Sequence, residues 1–306
     1  MWNLSFNAPA IIEASVLTTM PDTLRKKVSS SWAHANKGGK IIDSFLEGPS
    51  YDRQGNLYVT DIPHGRIFRI TPELNWETVI EYDGWPNGIA IHADGWLWIT
   101  DYRKGILRLE PASGKLETVL AHRNSESFKG VNDLTFDSSG NCWFTDQGQS
   151  GMHDPTGRVY RLTPQGQLDC LVSNIPSPNG LLVDEAARAL FVAVTRANAV
   201  WRAPLQNDGS VTKMANFQTF FGTSGPDGLA IDTQGNLAMA HGSLGAAFIM
   251  NPRGEVTHCV RSLCGDMVTN LAYIPDTNKL VMTEAESGTI LMAELQAVGR
   301  PLYSHQ

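Results

Sequence analysis

From Leu46 onward, short apolar runs alternate with polar, glycine-containing turns, and the alternation repeats with a period of roughly 40–48 residues. Six comparable segments begin at Glu47, Asn87, Asn132, Asn179, Asp227 and Asn270, each a carboxylate or an amide leading into a mostly apolar run such as Asn87-Gly-Ile-Ala-Ile-His92. In most repeats a turn follows, as at Arg53-Gln54-Gly55, Ala93-Asp94-Gly95, Ser138-Ser139-Gly140 and Thr233-Gln234-Gly235. A second apolar strand comes next, for instance Asn56-Leu-Tyr-Val-Thr-Asp61 or Trp96-Leu-Trp-Ile-Thr-Asp101. A third (Gly65-Arg-Ile-Phe-Arg-Ile70) follows in each repeat and a fourth (Trp76-Glu-Thr-Val-Ile80) in most. Four antiparallel strands repeated six times predict an all-β chain folded as a six-bladed β-propeller, and near-continuous apolar runs suit strands buried on both faces between neighbouring blades.

This reading treats 1–306 as a single propeller domain, with a closing segment at 1–45, blades over 46–295 and a tail at 296–306. The last repeat lacks a fourth strand, whereas the run Ile11-Ile-Glu-Ala-Ser-Val-Leu17 resembles one. It is expected to complete blade six and close the ring.

The first strand of a blade lines the central channel, so the six repeat-starting side chains should converge at one end of the axis. If the first hairpin centres on Gln54, position 47 faces 61. The same offset links Asn87 to Asp101, Asn132 to Asp146, Asp227 to His241 and Asn270 to Glu284. A longer turn in blade four shifts the partner of Asn179 to Arg196. The expected mouth therefore has an inner ring of the six starting residues and an outer ring of Asp61, Asp101, Asp146, Arg196, His241 and Glu284.

Composition narrows the function. The net charge of −7, with Arg25-Lys26-Lys27 as the one basic triplet, disfavours nucleic-acid binding, since no basic run is present to displace counterions. No apolar stretch reaches the length of a membrane-spanning helix, and Met1–Met20 lacks the basic start of a signal peptide, so a cytoplasmic protein with no membrane partner is expected. Cys142, Cys170, Cys259 and Cys264 show no CxxC spacing and are expected to be buried thiols. Tryptophans such as Trp96, Trp98, Trp143 and Trp201 sit in strands and are expected to pack between blades, with Trp85 the exception in a mouth loop. Serine-hydrolase, NTPase, zincin and nucleotide-binding motifs are missing.

Two carboxylates and four amides on the inner ring supply hard oxygen donors, the chemistry of calcium, magnesium or manganese, with calcium first and zinc or iron less suited. Glu47 and Asp227 together match a divalent charge. Asn-Gly and Asp-Gly also serve simply as turn dipeptides, although that leaves the matching place of Glu47 unexplained.

Here the chain resembles a known family. Glu47-Gly-Pro49, Asn132-Asp133, Pro178-Asn179-Gly180 and Pro226-Asp227-Gly228 look like the metal-site signatures of the senescence-marker-protein/gluconolactonase/regucalcin family, across about 40–295. The resemblance implies a six-bladed propeller and a divalent-metal-dependent lactonase. It implies Glu47, Asn179 and Asp227 as core ligands of one metal ion, Asn132 as a fourth ligand or a substrate contact, and Asp227 as a residue handling the water proton. One branch of the family carries arginine two residues before the blade-three asparagine, where this chain has Gly130. Asp133 looks more like the drug-responsive lactonase branch.

The expected function is hydrolysis of a small lactone, sugar-derived or acidic, by Lewis-acid activation of its carbonyl and attack of water, in a monomer or small homo-oligomer. Asp227 or His241 would accept the proton, with Asn87, Asp101, Asp133, Asp146 and Arg196 as substrate contacts. Arg196 either grips a substrate carboxylate or balances nearby acidic charge. The rival readings are a phosphotriesterase-like metal hydrolase and a non-catalytic calcium-binding propeller.

Overall fold

The computed structural model describes residues 8–306. Six antiparallel blades surround a central axis, forming a β-propeller. Their inner strands are Leu46–Tyr51, Pro86–Ile91, Val131–Phe136, Pro178–Asp184, Pro226–Ile231 and Val268–Tyr273. The apolar runs pack blade against blade. Tyr58 and Ile67 of blade one meet Ile89, Ile99 and Leu107 of blade two in one buried cluster, and equivalent clusters recur around the ring. Trp143 is buried in such a cluster between blades three and four. Cys142 and Cys259 are buried and Cys170 half-buried, but Cys264 is exposed on a loop, which corrects its expected burial.

The N-terminal run divides between two blades. Ser15–Thr19 pairs antiparallel with Thr289–Glu294 as the fourth strand of blade six, so a strand from the start of the chain closes the ring. Ala10–Glu13 instead pairs in parallel with Val256–Arg261, adding a fifth strand to blade five. The closing strand thus begins four residues later than Ile11. Ala14, buried between the two pieces, marks the change of sheet.

The register departs from the expected pairing in every blade. Each inner strand carries an irregularity near its mouth end. Its ladder runs Leu46↔Asp61, Pro86↔Asp101, Val131↔Asp146, Pro178↔Val194, Pro226↔His241 and Val268↔Glu284. One extra residue per strand is a bulge, which re-aims a side chain. It turns Glu47, Asn87, Asn132, Asn179 and Asp227 toward the axis and leaves Asp61, Asp101, Asp146 and His241 opposite their predecessors, while Glu284 faces Val268. Arg196 lies beyond the ladder in the turn Thr195–Ala197, not opposite Asn179 as expected.

The dipeptides after the bulge lie within strands, and their glycines serve close approach. A Cβ on Gly180 would sit 2.5 Å from the Asp227 carbonyl oxygen, and one on Gly228 would sit 1.9 Å from Asn270 Oδ1. Threonine hydroxyls latch successive blades at the same level. Thr60 donates to the Asn87 carbonyl at 2.7 Å, Thr100 to that of Asn132 and Thr145 to that of Asn179 at 2.8 Å, while in blade four Thr195, just past the end of its strand, reaches the Pro226 carbonyl at 2.8 Å. At the far end of the axis the tail crosses the channel, with Arg300 on Asp184 at 2.8 Å and Tyr303 packed on His92 and Phe136. It encloses a cavity of about 300 Å³.

Candidate active site

A polar cavity of about 160 Å³ opens at the mouth, and Glu47, Asn87, Asn132, Asn179, Arg196 and Asp227 line it together. Six residues from five blades meet there because the bulge recurs. Asn270, the sixth starting residue, is buried just beneath, where its amide donates to Glu47 Oε2 at 2.9 Å and to Asp133 Oδ2 at 3.4 Å. The Asn270 side-chain oxygen accepts the Leu271 N–H at 2.8 Å. Asp133 accordingly lies below the ring, against the axial cavity, and outside the lining of the mouth cavity where a substrate contact was expected.

Asp101 and Asp146 do not face the cavity. Both are wholly buried and accept backbone N–H groups of the loop entering their own blade: Trp85 on Asp101 at 2.9 Å and Gly130 on Asp146 at 2.8 Å. Asp61 does the same for Phe45 and also holds Arg66, while Glu284 receives Met267. Buried loop amides need acceptors, and a carboxylate at this place serves every blade that has one. Their expected place on an outer substrate-facing ring is corrected by the register: the bulge sets them back from the axis.

His241 is also set back. Its ring is fully buried between the edges of Phe220 and Phe248, neither nitrogen has a hydrogen-bond partner, and it does not line the cavity. Burial lowers its pKa from 6.5 to about 4, because a charged imidazole is poorly solvated there. Between these values the unfolded chain binds a proton that the folded one refuses, so stability should decline as pH falls from 6.5 toward 4. The separation sets a ceiling of about 3 kcal/mol. Thermal melts of His241→Leu across this range should show a shallower acid loss than the parent; identical pH slopes would remove His241 as the cause.

The inner ring is chemically unfinished. Asn132 Oδ1 and Asp227 Oδ1 are buried acceptors with no partner, while Asn132 Nδ2 is anchored on Gln147 Oε1 at 2.9 Å and so aims its oxygen inward. Burial and the neighbouring Asp133 charge raise the Glu47 carboxyl. Burial, then Glu47 and Asp133, raises Asp227 well above the carboxylate range, against the opposing Asn179 amide. Burial alone takes Asp133 up to about 6. Among the described residues no three His, Cys, Asp or Glu side chains come together as a metal cage. The donor set is instead two mutually repelling carboxylates with two amides, hard oxygens whose free lone pairs and excess negative charge fit a divalent cation.

The roof comes from a segment to which the sequence pattern gave no role. A short helix, Ser31–Asn36, capped by Ser30, brings Trp32 and Asn36 to the cavity beside Phe45 and Ile62. Trp85 packs behind this wall on Tyr102, and Tyr102 itself lines the cavity. Lys37 follows the helix, half-buried over the Phe45 ring at 4.7 Å and 4.0 Å from Glu286. Burial lowers its pKa, opposed chiefly by Glu286 and in part by Asp227. Tyr102 and Gln147 directly follow the Asp101 and Asp146 anchors, and the Thr-Asp dipeptides before them were the signal that could have found both.

The protein-family model described as the SMP-30/Gluconolactonase/LRE-like region matches residues 45–286. Among curated proteins the chain is similar to lactonase drp35 of Staphylococcus aureus (strain MRSA252), 29% identical over 314 residues, covering 94% of this chain and 90% of that protein. Lactonase drp35 of Staphylococcus epidermidis is 29% identical over 272 residues, covering 80% and 82%. The fold is shared with a gluconolactonase of Xanthomonas campestris at TM-score 0.74 and 20% identity, covering 92% of this chain and 99% of that one. It is shared too with the calcium-binding protein regucalcin of Agrobacterium tumefaciens at TM-score 0.76 and 18% identity, covering 98% and 100%.

Proposed function

Because the chain belongs to the SMP-30/gluconolactonase/LRE-like family, we propose that it is a hydrolase opening the ring ester of a small lactone with the help of one divalent ion. The observation that carries this reading is the convergence of Glu47, Asn132, Asn179 and Asp227 on one cavity with two buried oxygens still free. These four residues would hold the ion, calcium being the best match to carboxylate and amide oxygens. When bound, the ion supplies Lewis-acid polarisation of the lactone carbonyl and stabilises the developing oxyanion.

The remaining work falls to side chains. Asp227 accepts the proton of the attacking water at a carboxylate oxygen while the water oxygen bonds to the carbonyl carbon. As the ring C–O bond breaks, the same carboxyl returns the proton to the leaving oxygen, giving a hydroxy acid that then ionises. Asn87, Tyr102 and Gln147 offer hydrogen bonds to the ring substituents, and Trp32, Phe45 and Ile62 exclude bulk water from the roof.

Ionisation of the product makes a pH-indicator screen the direct test. Sugar lactones and aliphatic lactones should release acid, chelator should stop release, and calcium or manganese should restore it. Turnover of aryl phosphotriesters alone would replace this reading with a phosphotriesterase, and metal binding without turnover of any substrate would leave a non-catalytic binding propeller.

The ligand assignment has its own test. Glu47→Gln removes one negative charge with little change of shape, so calcium affinity by titration calorimetry should weaken by about tenfold or more, with activity partly recovered at excess ion. Unchanged affinity would remove Glu47 from the site.

A further inference from the structure

Blade four departs from the anchoring rule that four of the other five blades follow. In blades one, two, three and six, an acidic side chain at the end of the second strand accepts a backbone N–H of the entering loop: Asp61, Asp101, Asp146 and Glu284. In blade four that place falls to Val194, which pairs with Pro178 as Asp61 pairs with Leu46, and Arg196 stands two residues beyond it in the turn Thr195–Ala197. A valine side chain has no acceptor to offer. The loop amide at issue, that of Ser177, is received by Ser150 Oγ at 3.0 Å from the blade-three loop. Ser150 has therefore taken over the anchoring of this loop, and Arg196, in the turn beyond, has no part in it.

Arg196 lines the mouth cavity with Asn179 and Asp227. It forms no ion pair among the described residues, whereas Lys37, the nearby lysine, is engaged with Glu286 and the Phe45 ring. The alternative that Arg196 balances local acidic charge finds no carboxylate within ion-pair distance. A planar five-donor fork that is permanently charged and left unpaired over a binding cavity matches a carboxylate, which it can grip through two parallel hydrogen bonds.

Resting on the lactonase reading and deepening it, we propose that Arg196 is a substrate-binding residue and that the substrate is a lactone bearing a carboxylate. The ring carbonyl lies toward Glu47, Asn179 and Asp227, and the anionic substituent toward blade four. Ring opening would then yield a hydroxy dicarboxylate, whose original carboxylate stays on Arg196 while the new one forms where the ring carbonyl lay.

The test compares one small lactone carrying a ring carboxylate with its carboxamide, on the calcium-loaded protein and on Arg196→Gln and Arg196→Lys. The parent should favour the carboxylate. Arg196→Gln should lower the carboxylate-to-carboxamide ratio of kcat/KM by about 10–100-fold, mainly through KM, and Arg196→Lys should restore part of it. Calorimetric binding of both compounds to parent and Arg196→Gln reads the same grip whether or not the ring opens. No preference in the parent, or a ratio and a binding difference unmoved by Arg196→Gln, would overturn the proposal while leaving lactone hydrolysis intact. Absence of turnover with carboxylate-selective, Arg196-dependent binding would sink the lactonase reading and leave the anion grip standing.

Discussion

At saturating calcium, Asp227→Asn is expected to lose kcat by about 10³-fold, within the range for a missing general base, while His241→Gln keeps kcat within about threefold of the parent. The contrast follows from placement. Asp227 lines the mouth cavity with a buried, unpartnered Oδ1, so its carboxylate is within reach of a water attacking a carbonyl held over Glu47 and Asn179. His241 is enclosed by Phe220 and Phe248 behind the strand and cannot accept a proton from that water without unpacking the blade. Asn keeps the size of Asp and an oxygen donor but cannot take a proton near neutral pH. Metal content measured alongside kcat separates the two duties: excess ion should restore occupancy in Asp227→Asn and leave the rate low. A variant with full occupancy and near-parental kcat would move the base elsewhere.

Deletion of residues 1–20 is expected to lower the melting temperature by about 10 °C or more, or to prevent folding. Ser15–Thr19 is the fourth strand of blade six, and Met20, 2% exposed, packs with Leu46, Phe68 and Ile290 in the cluster that joins blades six and one. Without it, that seam loses the packing of Met20, and the edge of Thr289–Glu294 loses its ladder partner. The deletion also removes Ala10–Glu13 from blade five. That piece alone should matter less, because it adds a fifth strand to a complete blade and its side chains are largely exposed. Melting of a chain lacking residues 1–13 therefore provides the comparison. Equal melting of the 1–20 deletion and the parent would show that closure does not depend on this strand.

What the sequence determined by itself was the repeat. Apolar runs buried on both faces, returning six times, admit few architectures, and the residue opening each run had to face the axis because inner strands line the channel. Hence Glu47, Asn87, Asn132, Asn179 and Asp227 were legible as one group. What the tertiary structure alone decided was the register and its consequences. A bulge inserts one residue without altering the hydrophobic pattern, so the sequence could not signal that Asp101, Asp146 and His241 would fall behind the ring instead of beside it. The roof was hidden for a related reason: Trp32 and Asn36 lie outside the period, on a helix of six residues held by tertiary packing, with Lys37 directly after it. Ser150 accepts the blade-four loop amide where Val194 has no acceptor to offer, and such a substitution of partners between blades exists only once the ring is closed.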